Sequence, residues 1–135
     1  MKKHAFAWIL LILAAVISVG SVTVLGPCVH ADGSEAVCSR AGRAILIDGC
    51  VLAGLAVLLF FLRTPTGRTA VLFLVLCASA VGIALPGTLF PLCRMDSMHC
   101  RAVMQPATII LFAAALVVSA AGIISERKKD RRTKS

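Results

Sequence analysis

The sequence lacks the patterns that mark the common soluble enzymes. It has six acidic residues among 135, with no carboxylate pair. It also has no phosphate-binding glycine loop, serine–histidine–acid set or zinc motif. No Cys-x-x-Cys pair is present, although that is the usual spacing of a reactive dithiol. These absences argue against an ordinary hydrolase or nucleotide-binding enzyme, and the sequence predicts no cofactor.

Charge is scarce, whereas apolar residues are abundant. Only 15% of residues are charged and 59% are hydrophobic, with a mean hydropathy of +0.97. A soluble domain is about 25% charged. The apolar residues form four long runs, and crossing a bilayer takes about 20 such residues. The runs cover residues 5–25, 44–62, 70–90 and 107–124.

Each apolar run is expected to be helical, because lipid offers no hydrogen bonds to an open backbone. The sequence therefore predicts an all-α integral membrane four-helix bundle over residues 1–125. Outward loops are expected at 26–43 and 91–106, with a cytoplasmic loop at 63–69. The polar segment 126–135 is predicted to be a disordered, basic cytoplasmic tail. Pairs of small residues four positions apart predict close helix contacts, either within the bundle or with another membrane protein: Gly49 with Ala53, Ala78 with Gly82, and Ala115 with Ser119.

The distribution of lysine and arginine predicts the orientation, because cytoplasmic flanks are enriched in these residues. Four lie on the predicted outer side: Arg40, Arg43, Arg94 and Arg101. Ten lie on the other side: Lys2, Lys3, Arg63, Arg68, Arg127, Lys128, Lys129, Arg131, Arg132 and Lys134. Both termini are therefore predicted to be cytoplasmic, in a bacterial inner membrane. The net charge of +8 lies mainly in these flanks, so it indicates contact with lipid headgroups and not with nucleic acid.

The two halves of the chain have a similar pattern. Gly20 and Cys38 recur as Gly82 and Cys100, each at an offset of 62 residues. Each half reads as a helix, a cysteine, a polar loop, a second cysteine and a second helix. The pattern predicts two repeated helical hairpins, related by an axis along the membrane normal.

Four of the six cysteines lie in the predicted outward loops, and they are Cys28, Cys38, Cys93 and Cys100. The outer side of a bacterial membrane is oxidising, so these residues predict two disulfides. Pairing within each loop, Cys28 with Cys38 and Cys93 with Cys100, is favoured. Pairing between the loops remains open, because four cysteines allow three connectivities.

Two alternatives compete with a structural role for the outward cysteines. The first is thiol–disulfide redox chemistry, in which Arg94 and Arg101 would stabilise a thiolate of the second pair. The second is binding of copper(I) or another soft metal. Met95, Met98 and His99 lie between Cys93 and Cys100 and are ligand types that copper(I) prefers.

Asp48 is the ionisable residue placed most clearly within a span. A carboxylate in lipid is costly and usually faces a partner or water. Its place one turn into the second run predicts that it reaches the outer interface and pairs with Arg43 or Arg101. A proton or ligand site is the alternative.

The paired outward cysteines, the sequence Met98-His99-Cys100-Arg101 and Pro106 at the start of the last run carry a family resemblance. The chain resembles the small bacterial membrane proteins of the domain-of-unknown-function 4418 family over residues 6–124. It departs from the family pattern in the first loop, where Ala36 stands in place of a methionine. The resemblance implies an accessory membrane subunit that partners a transporter of the ABC type. The leading hypothesis is therefore a non-enzymatic accessory subunit in the lipid bilayer, with a membrane protein as its partner.

Overall fold

The computed structural model describes residues 2–23, 37–85, 88, 102–103 and 105–135. Side-chain positions are described from residue 4 in the first segment and from residue 42 in the second. The disulfide and metal predictions for the outward loops therefore concern side chains outside the described residues.

Four α-helices account for almost all of the described chain, and no strand occurs among the described residues. Each helix is long and apolar enough to cross a membrane, which confirms the predicted all-α, four-span architecture. The helices are α1 (Lys2–Val22), α2 (Val37–Phe61), α3 (Pro65–Ala84) and α4 (Gln105–Lys134).

The helix boundaries differ from the predicted ones because helices continue past the apolar runs. α2 begins seven residues before the second run. α3 begins at Pro65 instead of residue 70, since proline is preorganised for the first helical position. The connection between α2 and α3 is consequently only residues 62–64. α3 ends at Ala84, shortly before Pro86 in the sequence.

The prediction of a disordered tail differs from the structure, in which α4 runs without interruption to Lys134. Glutamate, lysine and arginine are good helix formers, and no glycine or proline interrupts residues 125–134. Asp130 and Lys134 are one turn apart, with 3.6 Å between Oδ2 and Nζ. The basic residues of the last turn also interact favourably with the helix dipole. High polarity of a segment was therefore not sufficient to predict that it is disordered.

The helices pack as two hairpins side by side. The most extensive contacts join α1 to α2 and α3 to α4, and smaller ones join α2 to α3 and α1 to α4. Large buried side chains from all four helices form the core, among them Ile17, Leu59, Leu72 and Phe112. The hairpin pairing agrees with the predicted halves, whereas duplication of the sequence stays a prediction.

Small residues allow the close approach within each hairpin. A Cβ atom on Gly49 of α2 would lie 2.8 Å from Ser18 Oγ of α1, and one on Gly82 of α3 would overlap the Phe112 ring of α4. Ser119, which was predicted to lie at a close contact, is fully buried. The small-residue pattern therefore correctly indicated helix contacts within the bundle.

Candidate functional site

A buried ion pair joins α3 to α4 at one end of the bundle. Because α3 begins at Pro65, Arg68 falls in its first turn, and its backbone N–H donates to Thr64 O. Arg68 Nε lies 3.1 Å from Glu126 Oε1, and the two side chains are only 8% and 13% exposed. The pair is thus largely shielded from solvent, which strengthens the attraction and raises the cost of breaking it.

The same guanidinium group reaches a third helix. Arg68 Nη1 donates to the backbone carbonyl of Leu59 at 3.3 Å. Leu59 lies in the last turn of α2, where carbonyls have no partner within the helix. One side chain therefore links the C-terminal end of α2, the start of α3 and the part of α4 just beyond its apolar run.

A cavity of about 530 Å³ lies beside this ion pair, and we call it the end cavity. Its wall contains residues from near the N-terminus, from the α2–α3 connection and from the tail of α4. The chemistry-bearing members are His4, Arg63, Arg68, Glu126, Lys129 and Asp130. His4 and Lys129 line one cavity, so the start of α1 and the tail lie at the same end of the bundle.

Aromatic contacts close the α1 side of the end cavity. The ring of His4 stacks on Phe60 with centroids 5.9 Å apart and planes 9° apart. Trp8 meets the same ring edge-on at 5.6 Å. His4 gave no functional signal in the sequence, whereas the structure places it in the cavity wall with its ring fixed against α2.

Asp48 occupies a different place, within the membrane span Gly42–Phe61 of α2. Its Oδ2 atom is buried and has no hydrogen-bond partner among the described residues, and the same holds for Ser18 Oγ on α1. Three other buried serines donate to carbonyls of their own helices: Ser21 to Ile17, Ser79 to Val75 and Ser119 to Leu116. The predicted pairing of Asp48 with Arg43 or Arg101 stays a prediction, because the unpartnered Oδ2 is only one of the two carboxyl oxygens and residue 101 lies outside the described part of the chain.

The remaining predicted site residues lie outside the described part of the chain. They are Cys28, Cys93, Cys100, Met95, Met98 and His99; Cys38 lies in α2, but its side chain is not described. Cys50 and Cys77 are free thiols on the surface of α2 and α3. Among the described residues, no three histidine, cysteine or acidic side chains come together as a metal site.

The sequence did not indicate the ion pair or the end cavity. Arg68 was considered only as one of the basic residues that predict the membrane orientation. One local signal was available: Pro65 marks a helix start, which places Arg68 inside the helix and not in a loop. The partner could not be found in the same way, because Glu126 is 58 residues away.

Four helices that are each long and apolar enough to cross a membrane, joined internally by a buried ion pair, define a small multi-pass membrane protein. The family described as "Domain of unknown function (DUF4418)" matches residues 10–125, most of the chain, and the protein belongs to this family. No curated protein matches the chain, and no solved structure matches it.

Proposed function

We propose that the protein is a non-enzymatic accessory subunit whose helix α2 packs against another membrane protein, such as a subunit of an ABC-type transporter. The main observation is a notch formed by Cys50 and Gly54 on the side of α2 that faces away from the other helices. Both residues are exposed, and a Cβ atom on Gly54 would meet nothing within 4 Å. Small residues four positions apart let two membrane helices approach closely.

A glycine at this position is hard to explain by packing within the chain. Glycine in the middle of a helix is less favourable than alanine by about 1 kcal/mol. At Gly49 and Gly82 a neighbouring helix uses the space, whereas Gly54 faces away from the bundle. Larger exposed residues, Ile47, Val51 and Leu58, border the notch. A partner helix packed between these residues would occupy the space that a larger side chain at position 54 would fill.

The extent of internal burial supports the same proposal. Only 28% of the span in α2 is buried inside the bundle, and the other three spans range from 28% to 33%. The remaining residues of each span are partly or fully exposed, so part of the helical surface can contact lipid or a partner. We further propose that the membrane is the bacterial inner membrane, with both termini cytoplasmic, as the ten basic residues of that side indicate.

The outward loops complete the proposal. Disulfides Cys28–Cys38 and Cys93–Cys100 would hold two short loops rigid on the oxidising side. Rigid loops lose little entropy on binding, so they suit recognition of a partner's outer surface. Cys38 is in the first turn of α2, so the first disulfide would tie its loop directly to the helix that carries the notch.

The two free thiols allow a direct test in native membranes. Replacing Cys77 with serine leaves Cys50 as the exposed thiol in the described spans, and replacing Cys50 leaves Cys77 as the matched control. A photoactivatable crosslinker on Cys50 should capture a specific membrane protein, and the same reagent on Cys77 should not. Gly54→Leu should abolish capture and copurification, because the added side chain fills the notch.

The isolated Gly54→Leu chain should fold normally, since open space surrounds this position. A thermal melt in detergent controls for this. Capture of a second copy of the chain, or capture that is unchanged by Gly54→Leu, would contradict the accessory-subunit proposal.

A further inference from the structure

We propose that the end cavity binds the phosphate group of a phospholipid headgroup. The cavity lies where the apolar spans give way to the charged tail, at the end of the bundle shared by His4 and Lys129. This is the level at which membrane helices meet headgroups, and basic pockets between spans are common headgroup sites. The inference is independent of the proposed partner of α2.

The charge of the cavity wall favours an anion. Three basic side chains, Arg63, Arg68 and Lys129, line it against two acidic ones, Glu126 and Asp130. Glu126 is engaged with Arg68 at 3.1 Å, and Asp130 lies 3.6 Å from Lys134 outside the wall. Both carboxylates therefore already have cationic neighbours, and the wall as a whole keeps an excess of positive charge.

The start of α3 adds to this preference. Pro65 lines the cavity, and the preceding Thr64 makes no side-chain cap hydrogen bond. The first turn of α3 also contains no acidic residue. The partial positive charge of a helix N-terminus is thus not offset by a cap, and such a terminus attracts phosphate.

Apolar residues in the wall favour a lipid over free phosphate. Phe60 and Leu62 line the cavity together with the charged residues. Phe60 belongs to the last turn of the membrane span of α2, so the cavity borders the level of the acyl chains. A headgroup could enter from the bilayer and leave its chains against the outer surface of the helices, whereas inorganic phosphate would gain nothing from the apolar part of the wall.

The test measures lipid binding by the full-length protein in mild detergent. Delipidated protein is titrated separately with phosphatidylglycerol, phosphatidylethanolamine and inorganic phosphate, and bound molecules are counted by native mass spectrometry. One phospholipid should bind per chain. Lys129→Gln and Arg63→Gln should each raise its apparent dissociation constant about fivefold, the factor for one basic residue near a headgroup.

The neighbouring residues provide matched controls with the same change in net charge. Lys128 and Arg131 are exposed and do not line the end cavity, so Lys128→Gln and Arg131→Gln should leave binding unchanged. Equal weakening by cavity and control variants would overturn the proposal in favour of general surface attraction. Binding of inorganic phosphate without retention of either phospholipid would overturn the lipid assignment.

Discussion

Arg68 and Glu126 lie 58 residues apart in the sequence and meet with 3.1 Å between Nε and Oε1. The contact fixes the start of α3 against the section of α4 that leaves the apolar run. Membrane helices gain little from the hydrophobic effect when they associate within lipid, so polar links and close packing determine their register. The hydrogen bond from Arg68 to Leu59 extends this control to α2.

Removing one partner of this ion pair should destabilise the bundle. Glu126→Gln leaves the Arg68 guanidinium largely buried without its carboxylate. We expect a loss of about 3 kcal/mol in the free energy of unfolding, measured by denaturant titration in mixed micelles.

The exposed pair in the tail is the control for this prediction. Lys134 and Asp130 are 79% and 49% exposed, so Lys134→Gln should leave stability unchanged within error, as expected for a solvated surface pair. Equal effects of Glu126→Gln and Lys134→Gln would show that the Arg68–Glu126 pair does not stabilise the bundle.

The contact of Gly82 with the Phe112 ring should be sensitive to added volume. Gly82→Ala places a methyl group against the Phe112 ring, and we expect a loss of about 1–3 kcal/mol from overpacking. A second change, Phe112→Leu, should recover part of that loss in a double-mutant cycle. Gly54→Ala is the control, because nothing lies within 4 Å of its Cβ position; in the isolated chain it should be neutral or slightly stabilising. A neutral Gly82→Ala would contradict the described contact between α3 and α4.

The intramembrane carboxyl should cost stability. Asp48 Oδ2 is buried without a hydrogen-bond partner among the described residues, and such a group costs about 1–3 kcal/mol. Asp48→Ala should therefore raise the melting temperature of the purified protein, and Ser18→Ala should do so to a smaller degree. A lower melting temperature in Asp48→Ala would show that this carboxyl makes a stabilising contact.

The cysteines should divide into two free thiols and four protected ones. Alkylation of denatured, unreduced protein should modify Cys50 and Cys77, which are free in the structure. The four outward cysteines should react only after reduction, and peptide mapping should give their connectivity. Each short loop closed in this way would contribute about 2.5 kcal/mol by the loop-entropy estimate.

The alternatives for the outward loops predict different results. A redox protein would contain a pair that exchanges readily, and a cysteine-to-serine variant of that pair would trap a mixed disulfide. A metal protein would copurify with stoichiometric metal, which Met98→Ala combined with His99→Ala would remove. Four stably oxidised cysteines would contradict both alternatives.

The four spans could be predicted from sequence because length and apolarity alone determine them. An apolar run of about 20 residues has few options in lipid other than a helix. The contacts at Gly82 and Gly49 were also indicated locally, since small residues four apart mark a close helix face. These features depend on residues that are near one another in the sequence.

The polar contacts could not be predicted because they depend on residues that meet only in the folded chain. In the sequence, Arg68 is only one of the ten basic residues that predict the membrane orientation. Its partner Glu126 becomes apparent only when α3 packs on α4. The polar sequence of the tail suggested disorder, but its helix propensity and its continuity with a long apolar helix outweighed that composition. His4 is positioned by stacking on Phe60 of another helix. No residue near position 4 in the sequence indicates this contact.

The unbroken course of α4 has a mechanical consequence. Glu126 is fixed to α3, and the helix continues to Lys134, about 12 Å further at 1.5 Å per residue. The tail is therefore a continuous extension of α4 that is held at its base by the ion pair, so a partner that moved the end of the tail would act on the contact between α3 and α4.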